Sequence, residues 1–222
     1  MFTALFWIMV VVALLNWFAA WRRQRRLYGV TKPAVLILLI AWFTQIGGWQ
    51  GSLLWFGLGL VFSLAGDVLL LFPERFFLPG LGAFLITHLF YILGFWQQPV
   101  VLTWAAVLPV ILVGLVFWAL TSRIRAGLSL HRQNNMTVPV MVYSAVISLM
   151  WLSALLTLLR PGWLLLPAIL VSVGAALFVL SDGMLAYNRF VRPISAADLL
   201  VISTYHTGQI LITTGVLLNF MR

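Results

Sequence analysis

The chain has 222 residues, 64% of them apolar and 8% charged, with a mean hydropathy of +1.11. A soluble domain carries roughly 25% charged residues, so these values exclude one and point to a polytopic helical membrane protein. The net charge of +9 sits mainly between apolar runs, which argues for membrane topology and against nucleic acid as a partner, and the absence of cysteine excludes disulfides, thiolate nucleophiles and Cys-ligated metals.

An α-helix rises ~1.5 Å per residue, so about 20 apolar residues cross a ~30 Å hydrocarbon core. On that ruler eight segments are expected, at 2–21, 33–49, 51–72, 77–96, 101–120, 137–159, 163–186 and 196–220, all in one transmembrane domain spanning 1–222. The first is followed, not preceded, by the cluster Arg22, Arg23, Arg25 and Arg26, so it reads as a retained span and not a cleaved signal peptide. Only Gly47, Gly48, Trp49 and Gln50 divide the second segment from the third. Pro33, Pro73, Pro139 and Pro161 fall at or near segment starts, where a missing N–H costs least. Trp7, Trp17, Trp21, Trp49, Trp96 and Trp163 fit interfacial belts. With eight spans, eleven of the basic residues fall on one side and only Arg160 and Arg222 on the other, which puts both termini on the non-cytoplasmic side.

Two of the four acidic residues, Asp67 and Asp182, lie inside apolar segments three and seven. A carboxylate at a helix centre costs on the order of 2.5–3.5 kcal/mol on insertion scales, so such a residue faces a protein interior and takes part in something. Ser63 shares a helical face with Asp67, Tyr205 with Gln209, His88 with Tyr91, and His206 with Gln209, by i,i+4 or i,i+3 spacing. Together with Lys32, Tyr143, Ser144, Asn188 and Arg189, these polar groups converge on the cytoplasmic half and predict a cavity open to the inner leaflet. The plainer alternatives are a buried clamp between helices for the carboxylates, interhelical bonding for His88, and ordinary packing for the tyrosines. Ser195 and Asp198 read as a capping-box variant, and Glu74 with Arg75 as a solvated ion pair. SLAGDVLL around Asp67 and VLSDGMLA around Asp182 occupy equivalent spans of two four-helix halves, each followed by a His-bearing span, which fits a 4+4 parallel repeat.

Read together, T-K-P at 31–33, S-L-A-G-D at 63–67, G-A-F-L-I-T-H-L-F-Y at 82–91, V-P at 138–139 with Tyr143, L-F-V-L-S-D at 177–182, N-R-F at 188–190 and Y-H-T-G-Q at 205–209 resemble the YhhN-like lysoplasmalogenase family of integral membrane proteins. The resemblance implies hydrolysis of the vinyl-ether bond of lysoplasmalogens to a fatty aldehyde and glycerophospho-ethanolamine or -choline, with no cofactor. It carries Lys32, Asp67, His88, Tyr91, Tyr143, Asp182, Asn188, Tyr205 and Gln209 forward as site positions.

Vinyl ethers hydrolyse by proton transfer to the β-carbon, which leaves an oxocarbenium-like cation for water to attack. That chemistry calls for a general acid and a carboxylate, as in two-carboxylate glycosidases. Asp67 and Asp182 are the expected pair, with His88, Tyr143 or Tyr205 placing water or the ether oxygen. Lys32 and Arg189 are expected at the phosphate, with Tyr91, Asn188, His206 and Gln209 lining the binding site. Two rivals remain. A metal-dependent hydrolase of the ceramidase kind would use the three histidines, but no H-x-x-x-H or H-E-x-x-H spacing occurs. A lipid or proton-coupled transporter would also use intramembrane Asp and His. The compact loops fit a bacterial inner membrane.

Overall fold

The computed structural model describes residues 2–99 and 103–221. The described residues form eight α-helices and no strand: α1 (Ala4–Trp21), α2 (Arg25–Gln45), α3 (Leu53–Leu69), α4 (Pro73–Phe95), α5 (Val107–Leu130), α6 (Thr137–Leu155), α7 (Leu165–Phe190) and α8 (Ala197–Phe220). Six of them, counting short 3₁₀ extensions, are long and apolar enough to cross a membrane, and the chain is an integral membrane protein. At 17 residues, α3 has a rise of only about 26 Å. The other helix outside the six is α8, whose middle carries the polar run from Ser203 to Gln209.

Several boundaries differ from the sequence expectation, for local reasons. α2 begins at Arg25, so Pro33 lies two turns inside the helix and not at its start. The residue four positions earlier, whose carbonyl a proline ring crowds, is Gly29, with open space around it. Pro79 has a different effect in α4: Phe76 leaves helical geometry (φ −118°, ψ 23°) and kinks the first turn. α5 continues to Leu130, taking Arg123 and Arg125 into the helix; residues 101 and 102, where that segment was expected to start, lie outside the described residues, as does Arg222. The cap residue of α8 is Ala196 (φ 54°) with no side-chain bond, so Ser195 and Asp198 form no capping box. Asp198 still sits in the first turn, where a carboxylate favours the helix dipole. Glu74 and Arg75 make no ion pair; both belong to the first turn of α4.

Three helices, α1, α2 and α5, end in a left-handed residue that reverses the chain, at Arg23, Gly47 and Arg132. At the end of α1, Arg23 (φ 54°) lets Gln24 N–H reach Ala19 O at 2.9 Å. At the end of α2, Gly47 (φ 98°) lets Gly48 N–H reach Phe43 O at 2.9 Å, which separates α2 from α3. Arg160 is not a solvated topology charge. It is buried, donates to the carbonyl of Phe95 at the end of α4, and lies 5.4 Å from the Trp96 ring, where a cation complements the helix terminus. Trp163 is likewise buried in the core and not at an interface.

The closest helix pairs are α7/α8, α3/α4 and α1/α2. In the first of these, Gly174 and Gly208 face each other: a Cβ on Gly208 would come within 2.7 Å of Gly174 O, and one on Gly174 within 2.8 Å of Gly208 O. Only glycines permit that backbone approach. α1 and α2 are joined by buried Asn16, which donates to Thr31 Oγ1 at 2.8 Å and Tyr28 O at 3.2 Å, just ahead of Lys32. The outer face of α5 is exposed and apolar at Leu108, Ile111, Leu115 and Trp118.

Candidate active site

The two carboxylates inside apolar helices are each held by a tyrosine, in separate networks. Asp67 on α3 accepts from Tyr205 OH on α8 at 3.0 Å through Oδ2, and its Oδ1 lies 3.4 Å from Lys32 Nζ on α2. The Lys32 and Asp67 side chains are only 9% and 1% exposed. One turn earlier on α3 and one turn later on α8, Gln209 Nε2 donates to Ser63 Oγ at 2.7 Å. The pairs Ser63/Asp67 and Tyr205/Gln209 therefore form two rungs between α3 and α8, running in opposite sequence directions, as the i,i+4 spacing allowed. Tyr91 OH donates to Gln209 Oε1 at 2.6 Å, and Ser63 Oγ reaches Thr87 Oγ1 at 3.2 Å, which ties α4 to both helices.

Tyr91 and Phe84 take their places because α3 offers glycines beneath them. A Cβ on Gly59 would fall 2.3 Å from Tyr91 Cε1, and one on Gly66 would fall 2.6 Å from Phe84 Cε2. Replacing either glycine displaces a ring of the site.

The second network joins α4, α6 and α7. Tyr143 OH donates to Asp182 Oδ2, and His88 Nε2 lies 3.0 Å from the same hydroxyl and 3.8 Å from Asp182 Oδ2. His88 is fully buried and its Nδ1 has no partner, whereas the Asp182 side chain is 16% exposed. Asp182 lines a cavity of about 50 Å³ between α4, α5, α6 and α7. Its walls are mainly apolar; Tyr143, Ser144, Ser148 and Thr121 supply the other polar groups.

Phe84 and Phe178 connect the two networks without bonding them. Phe178 lies 5.2 Å from the Tyr205 ring and 4.7 Å from His88, and Phe84 lies 5.7 Å from Tyr205 while also lining the Asp182 cavity. Asp67 is thus behind an aromatic wall, and Asp182 is in front of it.

The remaining expected residues are distributed around these networks. His206 accepts from Trp17 Nε1 on α1 at 3.2 Å, leaving its own Nε2 buried without a partner. Asn188 accepts from Ile194 N–H at 2.8 Å and shapes the turn after α7. The exposed guanidinium of Arg189 lies 4.0 Å from the centre of the Phe77 ring, which lines the Asp182 cavity. The Trp17–His206 bond and the Phe84/Phe178 wall had no polar signal in the sequence: Trp17 resembles any interfacial tryptophan, and the two phenylalanines, though inside the motifs at 82–91 and 177–182, resemble core. Ser148 and Thr121 also escaped notice, as isolated hydroxyls in apolar helices. Among the described residues, no three His, Asp or Glu side chains gather as a metal site.

A profile of the YhhN family matches residues 27–216, a span that contains both networks. The chain belongs to the YhhN family. Its relatives include the lysoplasmalogenase TMEM86B of Rattus norvegicus, 32% identical over 84% of this chain and 70% of the rat protein. The human TMEM86B lysoplasmalogenase is 30% identical over 91% of this chain and 77% of its own length. A lysoplasmalogenase of Mycobacterium bovis is 34% identical over 72% of this chain and 59% of that protein. No solved structure matches the chain. For this YhhN-family chain, the geometry therefore comes from its own helices.

Proposed function

We propose that the chain hydrolyses the vinyl-ether bond of lysoplasmalogens, as the names of its relatives describe for them, and that the reaction occurs at Asp182. The observation that carries this reading is a carboxylate held by Tyr143 and adjoining His88 on the wall of a mainly apolar cavity, inside a membrane protein.

In the proposed reaction Asp182, in its acid form, gives its proton to the β-carbon of the vinyl ether. The C=C electron pair forms the new C–H bond, and the ether oxygen stabilises the adjacent carbon as an oxocarbenium ion. Water adds to that carbon and loses a proton to the Asp182 carboxylate, giving a hemiacetal. Collapse of the hemiacetal breaks the carbon–oxygen bond to glycerol and releases the aldehyde and the free glycerol hydroxyl. His88 and Tyr143 hold the Asp182 carboxyl and move protons to and from it. The Asp67–Lys32 pair, expected to share the chemistry as a second carboxylate, acts as a positioning group. It fixes Tyr205, and Tyr205 packs against the aromatic wall of the cavity. Lys32 is committed to Asp67, so the phosphate falls to Arg189 beside Phe77. Arg189 lies seven residues beyond Asp182 on one face of α7, about 10 Å of helix rise away.

The wider frame of the proposal is eight spans in one domain, both termini on the non-cytoplasmic side, two four-helix halves, and residence in a bacterial inner membrane. The excess of arginine on one side and the short connections support it. A proton-coupled carrier would need a polar route to both faces, whereas the polar side chains of the two networks gather around Asp67 and Asp182.

Hydrolysis in D₂O, with the aldehyde reduced at once to the alcohol, tests the reaction. Carbon protonation places one deuterium on the carbon next to the former carbonyl, and the glycerol fragment carries no carbon-bound label. Aldehyde without that deuterium, or no aldehyde from folded protein, would overturn the reading.

A further inference from the structure

The Asp182 cavity does not end at α7. A second cavity, of about 360 Å³, adjoins it, and the two share Leu120 on α5 with Val179 and Gly183 on α7. Apart from Tyr187, the second cavity is lined by apolar side chains and glycine, with Val116, Trp151, Leu180 and Met184 among them. Val179 and Gly183 are i,i+4, so a single face of α7 serves both spaces. Between them stands the contact of Leu120 with Gly183: a Cβ on Gly183 would lie 3.3 Å from Leu120 Cδ1 and 3.5 Å from Cδ2. α5 is the least buried of the six membrane-crossing helices, 17% against 50% for α7, and its outward face is apolar. A rotamer change at Leu120, or a small shift of α5, would join the two spaces.

We infer that the crevice between α5 and α7 is a lateral portal, through which the long hydrocarbon chain of a single-chain ether phospholipid enters from the bilayer, with Leu120 and Gly183 forming its gate. This rests on the lysoplasmalogenase reading of the Asp182 site and adds the route and the residues that select chain length. The polarity of the walls orders such a molecule. Arg189, outside the Phe77 ring, meets the phosphate; Asp182 meets the vinyl ether; the apolar cavity beyond Gly183 takes the chain. A water-filled channel would not be lined in this way, because the larger space offers almost no hydrogen-bonding side chain. The gate acts on the hydrocarbon and leaves the headgroup free to stay at the interface.

Two measurements separate this inference from the reading beneath it. The first compares Gly183→Leu and Leu120→Ala with the parent protein on a hexadecenyl and a butenyl lysoplasmalogen. Filling the gate with Gly183→Leu lowers the ratio of kcat/KM for the long chain over the short one at least about tenfold, the scale of one or two methylenes excluded from an apolar pocket. Leu120→Ala, which opens the gate, leaves that ratio equal to or above the parent value. Equal losses on both chain lengths, or no change on either, would overturn the gate. The second measurement needs no turnover. A non-hydrolysable alkyl-ether lysophospholipid with a diazirine at its chain end is photolysed on the parent protein in vesicles, and the adducts are mapped by mass spectrometry. The portal predicts labels at Val116, Leu180 and Met184 that are reduced in Gly183→Leu. Labels confined to other helices, or labels there that Gly183→Leu does not reduce, would overturn it, even if the enzyme is fully active. Labelling at the portal in a protein that releases no aldehyde would keep the lipid route and overturn the catalytic reading.

Discussion

Replacing Lys32 by Met removes the ammonium 3.4 Å from Asp67 Oδ1 and leaves a carboxylate 1% exposed with a single bond, from Tyr205 at 3.0 Å. Breaking one side of a buried pair costs about 3–5 kcal/mol, because the remaining charge stays desolvated, whereas an exposed pair is worth at most about 1 kcal/mol. Asp67→Asn leaves the converse fault, an unpaired ammonium whose stem is packed in the helix bundle. The double variant Lys32→Met/Asp67→Asn removes both charges and keeps an acceptor for Tyr205. It is therefore expected to lie within about 1–2 kcal/mol of the parent, so the two single losses are strongly non-additive. Reversible unfolding in mixed micelles, run as a four-protein cycle, gives the coupling. A Lys32→Met cost below about 1 kcal/mol, or a double variant as unstable as the sum of the singles, would refute the description of Lys32–Asp67 as a buried structural pair.

Gly208→Val places branched carbon where a Cβ alone would be 2.7 Å from Gly174 O; α7 and α8 must separate, for about 1–3 kcal/mol or more, measurable as lost thermal stability in detergent. Tyr143→Phe removes the donor to Asp182 and the neighbour of His88, and is expected to lower kcat by about 10²–10⁴ with little change in KM. A rise in KM at constant kcat would instead make Tyr143 a binding residue. Arg189→Gln is expected to raise KM several-fold for phosphate-bearing substrates while leaving a phosphate-free vinyl-ether glycerol unaffected, as a steady-state comparison of the two substrates would show.

The site was legible in the sequence wherever a polar group stood in an apolar run. Asp67, Asp182, His88, Tyr143 and Tyr205 declared themselves because burying them has a cost that sequence alone reveals. The rungs between Ser63/Asp67 and Tyr205/Gln209 followed from helical spacing once α3 and α8 were known to touch. Which helices touch was not legible, since that depends on glycine contacts such as Gly174 with Gly208 and on rings such as Tyr91 seated over Gly59. For the same reason Lys32 was expected at the phosphate, from the start of a helix. Pro33 suggested a boundary, but the chain was already helical from Arg25, which carries Lys32 inside to Asp67. The separation of the carboxylates into two hydrogen-bond networks was not legible either. Each has its own tyrosine, and Phe178, which no polar signal marked, packs against the partners of both.

The division of labour between those carboxylates is the centre of the account, and aldehyde release from a lysoplasmalogen by Asp182→Asn and Asp67→Asn in identical micelles tests it directly. Asp182→Asn is expected to lose about 10²–10⁴ in kcat while unfolding at the parent temperature. Asp67→Asn is expected to lose stability first, and to recover activity when Lys32→Met is added. Full activity in a folded Asp182→Asn protein, or an Asp67→Asn defect that Lys32→Met leaves unrepaired at full stability, would contradict it.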